Sequence, residues 1–532
     1  MKKTAAIIFR TVIILLIGVG IGIFITDPKY TERELGFSGF NNDKLSRILQ
    51  LVKHNYVDSV NIDSIEGGAI NNVLQNLDPH SVYLPPLQAQ SINEKLEGGF
   101  NGIGIEYQIL RDTLVVTQVV EGGPAAKAGL SEGDKIIAID GNQLSANQIT
   151  ASKVNKILHG RGGSALLLKI SKYPYRKQTD VTIKRGHVDL SSLEAAYLTN
   201  NHTGYIKISK FASTTDTDFR KALIRLKAED MQSLVLDLRG NGGGYLNAAT
   251  ALADEFLPKG KLIVYTKGAH EPRTDYFSTD SGLYQNGKLA VLIDEHSASA
   301  SEILSGALQD LDRAIIVGRR SFGKGLVQQQ FTFNDGSAVN LTVARYYTPS
   351  GRSIQKSYKN GIDSYRNELA ERMQKGELYS AQNNLKDSIF THGSSLYHTV
   401  KGKRVYSGGG IMPDIFVPED TAGYTPLLAE LAGHQLFTAY VIDHLQPVLR
   451  KYDTAENFTR NFNLTGDDLD KFLLYASKTI KEMDSKEIRI SRPYIKLRLK
   501  ASAARFKWGN DAYYEVINQQ DQTLQRAVEA LK

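Results

Sequence analysis

Apolar positions change their period several times along the chain. From Asn42 to Leu77, residues Ile62, Ile65, Ala69, Val73 and Leu77 recur at spacings of three and four, which predicts helix. The prolines of LDPHSVYLPP, Leu77 to Pro86, end that pattern and force extended or turn backbone, with His80 read as a turn residue at a domain junction. Between about 95 and 185 the apolar runs become short, predicting strands at 103–107, 114–120, 135–139, 165–170 and 181–184. From about 186 to 420 strand and helix patterns alternate. Strands are expected at 204–208, 233–238, 261–265, 289–293, 314–317 and 338–344, and helices at 216–227, 246–256 and 301–308. That alternation argues for an α/β unit. A polar, weakly periodic stretch at about 356–403 reads as an insertion with one helix. Residues 425–532 are largely helical, with breaks near Thr465 and Pro493 and a last stripe of Leu524, Val528 and Leu531.

The N-terminus adds a location. Lys2 and Lys3 precede an apolar stretch from about Ala5 to Thr26, interrupted by Arg10. A spanning helix needs about 20 apolar residues, and Arg10 can snorkel to extend the usable length. No Ala-x-Ala-like cleavage site follows, since the next residues are Asp27, Pro28 and Lys29. Residues 1–26 therefore read as an uncleaved anchor in preference to a cleaved signal peptide. The leading lysines place the remaining chain outside the cytoplasm, on the periplasmic side of the membrane. Residues 27–94 are a linker and an N-terminal helical segment. Composition changes little in this picture. The excess of basic residues is only +7 over 532 residues, which makes no case for nucleic acid. The absence of cysteine excludes a cysteine nucleophile, disulfides and thiolate zinc sites. No metal or cofactor is expected.

Within 95–185 the phrase GGPAAKAGLSEGDKIIAIDG, Gly122 to Gly141, places a short helix ending at Gly129 and a tight Asp140-Gly141 turn. These residues resemble a PDZ domain. The resemblance implies that Gly102, Ile103, Gly104 and Ile105 form the loop that receives a peptide C-terminus: backbone N–H groups bind the carboxylate, and the ligand pairs as an added strand.

Candidate chemistry concentrates in three later segments. The run LAVLID, Glu295-His296, SASASEILSGAL is a buried strand entering a helix, a turn geometry that exposes a nucleophile beside a positive helix end. Ser297, Ser299 and Ser301 all qualify, and Ser299 to Glu302 also matches a capping box with no chemical role of its own. A serine needs a base. His296, oriented by Asp294, is one candidate. Lys324 in RSFGKGLVQQQ is another, provided burial or nearby positive charge keeps it neutral. In LVLDLRGNGGGYL, Leu234 to Leu246, a strand runs into glycines that can aim N–H groups at an oxyanion.

Taken in order, these segments resemble the carboxyl-terminal processing peptidases, the tail-specific protease family. The resemblance extends through LDPHSVYL, the PDZ unit, YYTPSGRSIQ and GGGIMPDI, and covers about 43–420. It implies an α/β, ClpP- or crotonase-like peptidase core at 186–424 and a serine endopeptidase acting near the C-termini of exported proteins with apolar tails. By the same resemblance Ser299 is the nucleophile, Lys324 the general base and Gln328 its orienting partner. Gly242 or Gly243, with Ala300, supplies the oxyanion hole, and Glu302 supports them. Two rival functions are an inactive PDZ scaffold and a Ser-His-Asp hydrolase using His296. The helical region 425–532 lies outside the resemblance and could serve self-assembly, an adaptor or shielding of the site.

Overall fold

The structure is a computed structural model, and it describes residues 44–110, 113–144, 150–173, 177–199, 201–380 and 394–532. The expected anchor at 1–26 lies outside the described residues; among those described, no helix is long and apolar enough to cross a membrane. The helical pattern over 42–77 resolves into two helices, Lys44–Asn55 and Ile62–Gln75. Asn61 restarts the helix by accepting the Ser64 N–H at 3.1 Å.

Residues 74–532 make one compact unit. Its centre is a six-stranded sheet in the order Leu193–Leu198, Thr203–Ile208, Ser233–Asp237, Lys288–Ile293, Ile315–Gly318 and Ile415–Phe416. The first pair is antiparallel and the others are parallel. Both faces are covered, which explains the unbroken apolar runs. Leu234, Leu236, Val291 and Ile293 face the helices Thr215–Ala228, Leu246–Asp254 and Ala300–Asp310. The alternate residues Val235, Ala290 and Leu292 face the C-terminal helix Gln522–Ala530 through Leu524 and Ala527. The open edge at Ala196 is closed by side chains: its N–H donates to Asp511 at 2.8 Å and its carbonyl accepts from Arg225.

A second, antiparallel sheet joins Val82–Leu84, Leu326–Thr332, Ala338–Tyr347, Leu262–Lys267 and Thr274–Phe277. Leu326–Thr332 follows the Gly-Lys-Gly loop and Val82–Leu84 follows the LDPHS turn; both pair with Ala338–Tyr347, which brings the loop and the turn to one place. The turn TPSGRS ends the helix Ala300–Asp310, with Arg352 buried against Asp310 at 2.8 Å and against Gln309 at 2.8 Å.

The PDZ module leaves the core on Gly99–Gly102 and returns on Gly186–Asp189, which pair with each other. Its sheet runs Ile105–Leu110, Thr113–Val119, Lys135–Ile139, Ala165–Lys172 and Lys177–Lys184, with the helix Ala151–Leu158 alongside. The C-terminal helices pack on both this module and the core. One expected break moves. The helix Ser485–Ile517 runs through Pro493, which lies on its exposed side, where water can replace a lost backbone bond. The real interruption is Gly509, with φ +80°.

Candidate active site

Three serines enter the helix Ala300–Asp310, and the fold separates their roles. Ser297 is fully buried; its hydroxyl donates to the Leu238 carbonyl at 2.9 Å. Ser301 is also fully buried and donates to the Asn241 carbonyl at 2.9 Å. Ser299 alone is partly open, at φ +55°, a conformation that a non-glycine residue holds only under strain. It lines a cavity of about 270 Å³ together with Lys324, Gln328 and Gly242. Ile92, Leu96, Leu246, Ile303 and Leu326 supply apolar walls.

The glycine turn meets the serine turn through Asn241, which is fully buried. Asn241 donates to the Ile208 carbonyl at 2.9 Å, and its own carbonyl accepts the Ala298 N–H at 3.0 Å. Its side-chain oxygen accepts the Gly243 N–H at 2.9 Å. That bond commits the Gly243 amide inside the turn. Gly243 is instead a clearance residue, packed against Ser299 and the Ala300 nitrogen. Gly242 is exposed on the cavity wall, and Ala300 is the first residue of the helix.

Glu302 is fully buried and holds four donors: the N–H groups of Ser299 (2.9 Å), Lys324 (2.9 Å) and Gly323 (2.7 Å), and the Ser321 hydroxyl. It therefore ties the Ser299 turn to the Lys324 loop. Burial pushes its carboxyl up to about 7, against the pull of those hydrogen bonds. Tyr346 makes a second tie, donating to the carbonyls of Ser299 and Lys324.

Lys324 donates to the Gln328 side-chain oxygen at 2.8 Å. Burial depresses its pKa below the ordinary lysine range, while the charges of Glu302 and Asp78 pull it back up. His296 stands elsewhere. Its ring is exposed, 3.8 Å from Glu295, and Asp294 spends its oxygens on the N–H groups of Gly240, Ser297 and His296 itself. No bond from Asp294 orients the imidazole, so the Ser-His-Asp arrangement is not assembled. The PDZ loop residues Gly102, Ile103, Gly104 and Ile105 lie apart from this cavity, with Ile103 buried and Gly104 at φ +76°.

Sequence reasoning missed Asn241 and Tyr346 as individuals, although both stand in segments it singled out. It also missed the helix Pro86–Glu97, whose Ile92 and Leu96 wall the cavity. The insertion holds the one helix expected of it, and that helix packs against the site. Its helix Ile362–Gln374 carries Tyr365, Glu368 and Arg372 inward, where Arg320, Arg372 and Glu377 form a buried ionic cluster behind the Lys324 loop.

The sequence profile of Peptidase family S41 matches residues 202–364, and that of a PDZ domain matches 115–172. A family of unknown function (DUF8443) matches 427–509. The chain is 36% identical over 313 residues to a carboxy-terminal-processing protease of Bartonella bacilliformis, covering 58% of this chain and 71% of the relative. It is 34% identical over 324 residues to the carboxy-terminal processing protease CtpB of Bacillus subtilis, covering 60% and 66%. A probable CtpA-like serine protease of Staphylococcus aureus is 32% identical over 318 residues, covering 59% and 62%.

Proposed function

Because the chain belongs to the carboxy-terminal processing proteases of peptidase family S41, we propose that it is a serine–lysine endopeptidase that cleaves exported proteins near their C-termini. The observation that carries this reading is the single cavity shared by Ser299, Lys324, Gln328 and Gly242.

In the proposed reaction the neutral Lys324 amine takes the Ser299 hydroxyl proton as Oγ attacks the scissile carbonyl. The N–H groups of Gly242 and Ala300 receive the oxyanion. Collapse of the tetrahedral species breaks the C–N bond, and Lys324 returns its proton to the leaving amine. Lys324 then activates the water that hydrolyses the acyl-enzyme. The apolar wall around Ser299 suits a small or apolar side chain at the cleavage point. Among the described residues, the outer edge of Ile105–Leu110 carries no further strand of the PDZ sheet. A substrate tail would pair there, with its carboxylate at Gly102 to Ile105. We further propose that residues 1–26 tether the chain to the cytoplasmic membrane, with the peptidase on the periplasmic side.

Digestion of an unfolded, apolar-tailed protein by wild type, Ser299→Ala, Lys324→Ala and His296→Ala tests the reading. Ser299→Ala and Lys324→Ala should be inactive and His296→Ala active. Turnover by Lys324→Ala would overturn the mechanism. Cell fractionation with external protease digestion tests the tether; a chain found in the cytosol would refute it.

A further inference from the structure

A glutamine amide has two ends of similar size and opposite hydrogen-bonding character. Gln328 helps a lysine base only if its oxygen faces Lys324. The oxygen accepts one N–H and leaves the amine lone pair free for the serine. Turned round, the NH2 end would donate into that lone pair. Something must sort the two ends.

The backbone carbonyl of His80 does so by position. It accepts the Gln328 NH2 group, and a carbonyl can only accept. The Lys324 bond at the other end is 2.8 Å. The carbonyl in turn is held by its turn. Asp78, 7% exposed, accepts the N–H groups of His80 at 2.8 Å and Ser81 at 2.9 Å and the Ser81 hydroxyl at 2.6 Å. Ser81 accepts the Thr342 N–H at 3.1 Å. Thr342 sits opposite Gln328 at an irregularity of the pairing, where the register slips between Val327 and Gln328. Such irregularities re-aim a side chain. The His80 ring shares a 2.6 Å hydrogen bond with Tyr365 from the insertion helix.

We infer that the Asp78–Ser81 turn, braced by Tyr365, is a positioning element for the general base, fixing the orientation of the Gln328 amide and through it the Lys324 amine. The inference rests on the serine–lysine reading. The titratable groups facing Lys324 are Glu302 from the nucleophile helix and Asp78 and His80 from the turn; Lys356 faces His80 from the other side.

The test is a double-mutant cycle on the full chain, reading kcat, KM, the pH profile and thermal unfolding. Asp78→Ala should lower kcat about tenfold to a hundredfold with KM little changed. Added to Gln328→Ala, it should cost no more than about a further twofold, because the turn acts through Gln328. Asp78→Asn retains an accepting oxygen and should recover most of kcat. Its rising pH limb should move to lower pH, since a negative charge that favours the ammonium is gone. Should Asp78→Ala not fold, Tyr365→Phe carries the same cycle. Additive losses in the double variant, or Asp78→Asn as slow as Asp78→Ala, would overturn the inference. Activity surviving Ser299→Ala or Lys324→Ala would instead sink the underlying reading. Inactivity of those two variants with an additive cycle would sink the positioning role alone.

Discussion

A Cβ on Gly243 would lie 2.8 Å from the Ser299 Cβ, 2.9 Å from the Ala298 carbonyl oxygen and 3.0 Å from the Ala300 nitrogen, at φ +104°. A Cβ on Gly242 would meet nothing within 4 Å. Gly243→Ala should therefore displace Ser299, the proposed nucleophile, and cut kcat by on the order of a hundredfold. Gly242→Ala, which keeps its amide, should leave the melting temperature near wild type. Equal activity of the two variants would refute the division of labour between the glycines. Lys324 makes a second prediction at this scale. Its pKa is depressed by burial, and only the neutral amine accepts a proton. Activity should rise with pH through the folded lysine's pKa, with a midpoint below that of a free lysine. A rate unchanged from pH 6 to 9 would contradict it. The sequence alone offered the residue types here, because a glycine turn, a serine turn and a Gly-Lys-Gly loop each carry a local signature. It left Gly242 and Gly243 as alternatives, because the Gly243 bond to Asn241 that distinguishes them is a matter of side-chain direction.

The elements were legible wherever burial is periodic. Strands within 204–208, 233–238 and 289–293 read clearly because both their faces are covered. The strand Leu326–Thr332 did not, since its sequence LVQQQFT places Gln328 and Gln330 on a polar cavity wall where an apolar alternation would otherwise stand. The insertion helix Ile362–Gln374 has only a weak apolar period for a similar reason: what it buries is charge. Arg320 and Arg372, each 4% exposed, share Glu377 at 2.7 and 3.0 Å. Arg320 also reaches Glu368 at 3.0 Å. Removing one partner of a buried pair strands the other charge. Glu377→Ala should therefore destabilise the fold by about 3–5 kcal/mol, seen as a lowered denaturant midpoint. A loss below about 1 kcal/mol, the range of exposed ion pairs, would return the cluster to the status of solvated surface charge.

At the scale of the whole molecule, the C-terminal helices are the part that sequence left open, and the packing gives them a place. The strand Thr113–Val119 points Leu114 and Val116 into the PDZ core but Val115, 1% exposed, into the helical cluster with Leu436 and Ile442. Arg505 adds an exposed contact to Glu106 at 3.0 Å. Farther along, Asp521 pairs with Arg239 at 2.7 Å, immediately before the glycine turn, and Leu524, Ala527 and Leu531 cover the far face of the core sheet. The region therefore grips the PDZ module at one end and the peptidase core at the other. No sequence period could announce this, because each face becomes complementary only to residues hundreds of positions away. Val115→Asp separates the two attachments. It places a charge in the helical cluster while Leu114 and Val116 still build the PDZ core. Hydrogen exchange should keep protection in the strands Lys135–Ile139 and Ala165–Lys172 but lose it in the helices from Pro426 to Leu449. Small-angle scattering should show a larger radius of gyration as the PDZ module swings on its two-stranded stem. An unchanged radius with intact protection in those helices would mean that the stem alone holds the module, and that the helical region braces only the core.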